Sequence, residues 1–172
     1  MFTNTAKAGG VYKVVCHDAD GNFKWEETPH NLVVNQGLQD MNTKYFSGSS
    51  YTAAWYLGLI TGPGSGTSIA AADTLASHAG WTEFTNYSGN RKAVTFGTAT
   101  TADPSVIDNS GSPSQFTISG AGGVVAGAFL CNAASGTSGV LFSASDFQSP
   151  GDRTVVSGDT LTVTYTFSLD AA

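Results

Sequence analysis

Residues 31–60 read NLVVNQGLQDMNTKYFSGSSYTAAWYLGLI, and this stretch decides what kind of fold the chain can adopt. Leu32, Val33, Leu38, Met41, Tyr45 and Phe46 recur at steps of roughly three and four, which predicts an apolar stripe along a helix starting near Asn35. Asn35 is placed to cap that helix, because its side chain can accept a hydrogen bond from the free N–H groups of a first turn. Residues 55–60 form a short apolar run, closed at once by Thr61-Gly62-Pro63-Gly64, and predict a buried strand. One helix laid across a sheet is the simplest architecture for the two pieces.

Outward from there the chain is strand and turn. The segment TLTVTYTFSL at 160–169 puts Leu161, Val163, Tyr165, Phe167 and Leu169 on one face and Thr or Ser on the other, the pattern of a strand buried on one side. Ser157-Gly158-Asp159 is the tight turn before it. Residues 11–16 and 22–27 flank His17-Asp18-Ala19-Asp20-Gly21 as a hairpin. Further strands are expected at 81–87, 91–101, 115–119, 124–131, 139–143 and 153–157, with Gly89-Asn90 turning between the first two. Asp73 is expected to cap a short helical turn at 74–78 that ends at Gly80. Roughly nine short strands with Gly-rich turns and one helix point to an all-β sandwich, of jelly-roll or another strand order, with the helix on the sheet.

In a chain of 172 residues, 41% apolar and 11% aromatic content is enough for one domain with a real core. Residues 11–172 read as that domain and 1–10, small and polar, as an N-terminal arm. Charged residues are only 12%, about half the usual share. Such Ser/Thr/Gly-rich β-proteins are common among secreted proteins and among subunits of large assemblies. A net charge of −6, with seven Lys and Arg adjacent only at Arg91-Lys92, argues against nucleic-acid binding. The N-terminus lacks the basic start and apolar core of a signal peptide, and no run approaches a membrane span, so synthesis in a cytoplasm without membrane attachment is the expectation. Cys16 and Cys131 stand alone and read as buried thiols rather than a disulfide or metal site.

Residues suited to chemistry are present but scattered. There is no G-x-S-x-G, and His17, His30 and His78 have no spacing that would converge on zinc. Asp18 and Asp20 resemble the start of a calcium loop, but the position where a ligating Glu belongs is Pro29. Glu26 and Glu27 are adjacent on a strand, point to opposite faces and cannot act with Glu83 as a glycosidase pair on one bond. Residues 120–123 are Gly-rich but precede a strand, so they are a turn and not a phosphate loop. Trp25, Trp55, Tyr56, Trp81, Phe84 and Tyr87 are either core or a sugar-stacking face. No catalytic residue, cofactor or metal is assigned.

The order of short motifs carries more. His30-Asn31-Leu32-Val33-Val34-Asn35-Gln36-Gly37-Leu38 is followed by Trp55-Tyr56-Leu57-Gly58-Leu59, by Asp73-Thr74-Leu75-Ala76-Ser77-His78 with Gly80-Trp81 and Glu83, by Arg91, and by Ser157-Gly158-Asp159-Thr160-Leu161. Over most of residues 30–169 this resembles a group of small virion proteins of tailed bacteriophages. The resemblance implies a structural part of the particle, best a capsid decoration or cement protein on the head surface, made in the host bacterial cytoplasm. Its implied partners are the major capsid protein and copies of itself, as dimer or trimer. A tail or fibre-attachment component that binds carbohydrate is the alternative. Subunit contacts are expected from the arm (Phe2, Thr3, Asn4, Thr5 and Lys7), from the 61–72 loop (Ser65, Thr67 and Ser68) and from the 102–113 loop (Ile107 and Asn109), since both loops are longer than the domain alone requires.

Overall fold

The alternating C-terminal segment becomes the strand on which the first sheet is assembled. The computed structural model describes residues 5–48, 50–62, 67–148 and 151–171. In chain order its elements are β1 (Ala6–His17), β2 (Phe23–Glu27), β3 (Leu32–Val33), α1 (Asn35–Phe46), β4 (Trp55–Thr61), β5 (Thr82–Phe84), β6 (Lys92–Val94), β7 (Ser105–Asp108), β8 (Ser114–Thr117), β9 (Gly123–Val125), β10 (Gly127–Cys131), β11 (Leu141–Asp146), β12 (Arg153–Val155) and β13 (Thr160–Ala171). The first sheet runs β2-β1-β13-β7, with β8 beside β7 on the same edge of β13. The second runs β3-β11-β10-β4-β5, with β6 following β5 along β4, and β9 and β12 pair separately. Every ladder is antiparallel. The fold is the all-β sandwich with one helix that the patterning predicts.

The two sheets face each other across one apolar layer. Tyr12, Val14, Leu161, Val163 and Tyr165 from the first sheet meet Leu57, Leu59, Ala128, Leu130 and Phe142 from the second. The second sheet is also covered on its outer face, where Ile60, Phe129, Leu141 and Ala144 pack under Leu75 and Trp81. That double burial explains the unbroken apolar run of β4, which a half-exposed strand would not have.

Several expectations give way to this arrangement. From Ala6 the predicted arm is strand: β1 pairs residue for residue with β13, from Ala6↔Ala171 to His17↔Thr160, because the small residues Gly9 and Gly10 fit against a neighbouring strand. The 102–113 loop contains β7, paired to β13 between Ser105↔Leu169 and Asp108↔Thr166. The turn at 74–78 is not helical; Thr74 and Ser77 bond each other across a tight turn, and the Asp73 carboxylate instead accepts from the Ala70 amide and the Trp81 indole, both at 3.0 Å. The predicted strands at 81–87 and 91–101 shrink to β5 and β6, which do not pair with one another but share an edge of β4, with residues 85–91 looping out between them.

The helix has its expected span but not its expected contacts. Val34 takes the N-cap position without a side-chain bond, so Asn35 is the first helical residue and not the cap. The residue of α1 that is buried is Gly37, which lies on the backbone of Phe142; a methyl group there would fall 2.9 Å from the Phe142 Cα and closer still to its carbonyl oxygen. Leu38, Tyr45 and Phe46 of the predicted stripe face outward, and only Met41 is half-buried. A large side chain at the contact would hold the helix off the strand, whereas glycine lets the backbones touch and leaves the stripe free. Gly37→Ala is expected to cost about 1–3 kcal/mol through overpacking against a backbone that cannot yield. Urea unfolding of the variant, which should show an unchanged slope and a lower midpoint, checks this.

Candidate functional site

The outward part of α1 builds the most distinctive surface of the described residues. The first turn is fixed to β11: the Leu141 amide donates to Gln36 Oε1 at 2.8 Å, Gln36 Nε2 donates to the Gly139 carbonyl at 3.4 Å, and the Val34 amide donates to the Phe142 carbonyl at 3.1 Å. In its second half Met41 is the residue that packs against the core. Tyr45 and Phe46 there are 83% and 78% exposed, set edge to face with ring centres 4.9 Å apart. Nearby, the Trp55 indole donates to the Tyr51 hydroxyl at 2.8 Å, and Lys44 Nζ sits 5.7 Å from the Tyr51 ring centre. Desolvation raises the Tyr51 phenol above its ordinary pKa, with the indole bond opposing and the Asp40 carboxylate adding to the shift.

Between these groups and the paired ends of β1 and β13 lies an apolar groove of about 540 Å³ that reaches Ala6 and Leu169. Met41 and Trp55 also wall a second cavity of about 210 Å³ that runs inward to Phe96, Phe142, Tyr165 and Phe167. The surface is a hydrophobic groove with an aromatic rim.

The polar clusters elsewhere serve the fold. Arg91, 7% exposed, meets both Glu83 oxygens at 2.8 and 2.7 Å and donates to the carbonyls of Ala133 and Gly136 at 3.0 and 2.8 Å, so all of this tethers the 133–136 loop to the β5–β6 insert. Glu27 is paired with Arg153 at 2.6 Å and Glu26 with Lys13 at 3.1 Å, on opposite faces of β2 as their adjacency requires. His78 stacks on Trp81 at 3.7 Å and bonds its carbonyl through Nδ1. Asp18 holds its own hairpin turn, accepting from the Asn22 side-chain amide at 3.1 Å and from the Asn22 and Asp20 backbone amides at 2.8 and 3.0 Å, and those bonds lower its pKa. Cys16 and Cys131 are free and buried, and burial raises both thiols. Among the described residues no group of three His, Cys, Asp or Glu gathers to hold a metal ion, and no helix is long and apolar enough to cross a membrane.

Six of the ten residues expected at subunit contacts fall within the described residues. Thr5 is exposed just before β1, and Lys7 is exposed on β1 opposite Asp170 of β13. Ser68 is exposed, whereas Thr67 is buried where the 67–81 segment closes over the second sheet. Asn109 is fully enclosed: its Oδ1 accepts from the Tyr165 amide at 2.7 Å, so it pins β7 to β13 and offers nothing to a partner. Ile107 is half-buried in β7 opposite Phe167 and lines the inner cavity. Phe2, Thr3, Asn4 and Ser65 lie outside the described residues. Of the aromatics considered for a sugar-stacking face, Trp25, Trp81, Phe84 and Tyr87 are core. The residues that do form the surface, Tyr45, Phe46 and Tyr51, come from the end of α1 and the segment after it; periodicity groups Tyr45 and Phe46 on the helix but does not report that they face outward.

Comparison with protein-family models, with curated proteins and with solved structures gives no match.

One group off the groove carries a pH signature. Desolvation at the end of β11, with Asp152 adding repulsion, raises the Asp146 carboxyl to about 6, and its buried Oδ1 has no hydrogen-bond partner. A carboxyl whose folded pKa lies above its unfolded value favours folding when protonated. Its contribution is therefore complete below the ordinary carboxylate range, about 4, and is lost as pH rises through about 6. Stability of Asp146→Asn should fall less than that of the parent chain between those two pH values, read as urea midpoints across the range.

Proposed function

We propose that the chain is a structural subunit of a tailed-bacteriophage particle, a decoration or cement protein that adheres to the outer capsid lattice and stabilises the head. The observation that carries this reading is the aromatic groove beside α1. A sandwich whose core is closed by its own sheets has no folding reason to leave Tyr45 and Phe46 in water, and exposed apolar patches of this kind mark surfaces that meet another macromolecule. The motif order over residues 30–169 supplies the class of assembly, and the low charge density agrees with a surface largely covered by other subunits. In this reading the major capsid protein and further copies of the chain are its partners and the capsid surface is its location.

The rigidity of the sandwich suits the task. A cement subunit is repeated by the lattice, so modest contacts add up, provided that each copy presents the same geometry. Contacts that are apolar and hydrogen-bonded are weakly screened by salt, unlike charge-driven ones. Purified protein mixed with undecorated capsids of the parent phage should co-sediment in a saturating, fixed ratio that persists from low to high salt. Absence of binding overturns the capsid assignment and transfers the reading to a tail component; binding that disappears at high salt overturns the adhesive mechanism.

A further inference from the structure

We propose that the outward seam of α1 is covered by a second copy of this chain, in a two-fold dimer that pairs the two helices antiparallel and seats Phe46 of each copy in the groove of the other. The inference rests on the reading of this face as an assembly surface, and it names the occupant.

The helix itself supplies the first argument. Leu38 and Tyr45 lie exposed seven residues apart on α1, the repeat by which one helix packs on another, while Met41 between them reaches inward to the groove floor. Within the subunit that seam has no helix to meet, because α1 rests on β11 through Gly37 and is the only helix among the described residues. Knob and hole also lie side by side: Phe46 stands on the rim of the groove that Tyr51, Trp55 and Leu169 line. A surface that holds both halves of a contact is what an isologous two-fold interface requires, since each residue must find its complement on the same patch.

Charge agrees. Asp40 and Lys44 flank the groove one helical turn apart, with opposite sign. Antiparallel helices related by a two-fold near Met41 bring Lys44 of each copy alongside Asp40 of the other, whereas parallel helices set like against like. Area agrees as well. Tyr51, Leu38 and Leu169 are 49%, 41% and 39% exposed. With Tyr45 and Phe46, and aromatic side chains of ~150–250 Å² each, the patch presents on the order of 500 Å² of apolar side chain. A standard interface takes ~800 Å² per partner, about two-thirds of it apolar between identical chains.

Sedimentation equilibrium of the full chain over a micromolar concentration series tests the proposal. The parent chain should sediment as a dimer. Phe46→Ser, at a side chain 78% exposed, should weaken association by about 30-fold or more, the mark of an interface anchor. Lys44→Asp should weaken it too, and the double variant Asp40→Lys with Lys44→Asp should recover. A monomer at every concentration, a closed trimer, or a dimer indifferent to Phe46→Ser overturns the inference. Capsid co-sedimentation separates the two claims: a monomer that still binds capsids removes the dimer and leaves the proposed function, and a dimer that ignores capsids does the reverse.

Discussion

The structure depends on the twelve-residue ladder between β1 and β13, and on the tyrosine pair at its middle. Tyr12 and Tyr165 lie directly opposite one another, rings 4.6 Å apart, and both reach across the sandwich. The Tyr12 hydroxyl bonds Ser143 Oγ at 2.7 Å, Ser143 in turn meets the Tyr165 hydroxyl at 3.3 Å, and Asn31 Nδ2 donates to that hydroxyl at 2.9 Å. Burial raises both phenols far above their ordinary pKa, so they stay neutral. A polar network in an apolar layer fixes the register of the sheets in a way that aliphatic packing alone does not, because any slip leaves a buried hydroxyl unpaired.

That clamp determines where the helix can go. With Ser143 held by the tyrosines, β11 presents the Phe142 backbone on its other side of the ladder, and Gly37 closes on it. The outer face of the second sheet is already occupied by Leu75 and Trp81, so α1 lies at the end of the sandwich rather than across it. The apolar stripe that sequence periodicity assigns to the core is displaced to the surface by one residue without a side chain.

Much of this was readable in advance, and the failures share a cause. Periods of two and of three to four residues, turn glycines and the long run of β4 report local structure, and they located most strands and the full span of α1. They do not report which face another element will cover. Gly9 and Gly10 looked like an arm because small residues are also what a closely paired strand uses, and Asn109 looked like loop chemistry because its partner, the Tyr165 amide, lies far along the chain. A polar N-terminal stretch and two long loops suggest subunit contacts from sequence, whereas the groove arises from α1, the Tyr51 segment and two strand ends that sequence separates widely.

A sandwich closed by its own clamp, carrying an outward helical seam for another subunit, is the central claim of this account. Hydrogen exchange of the full chain at low and high protein concentration tests it most directly, since it reads both halves at once. The account predicts that amides of β1 and β13 exchange slowly at either concentration, while those of residues 41–46 and 51–55 gain protection as concentration rises. Protection of those residues that stays constant with concentration, or a β1–β13 ladder that exchanges as fast as they do, would contradict it.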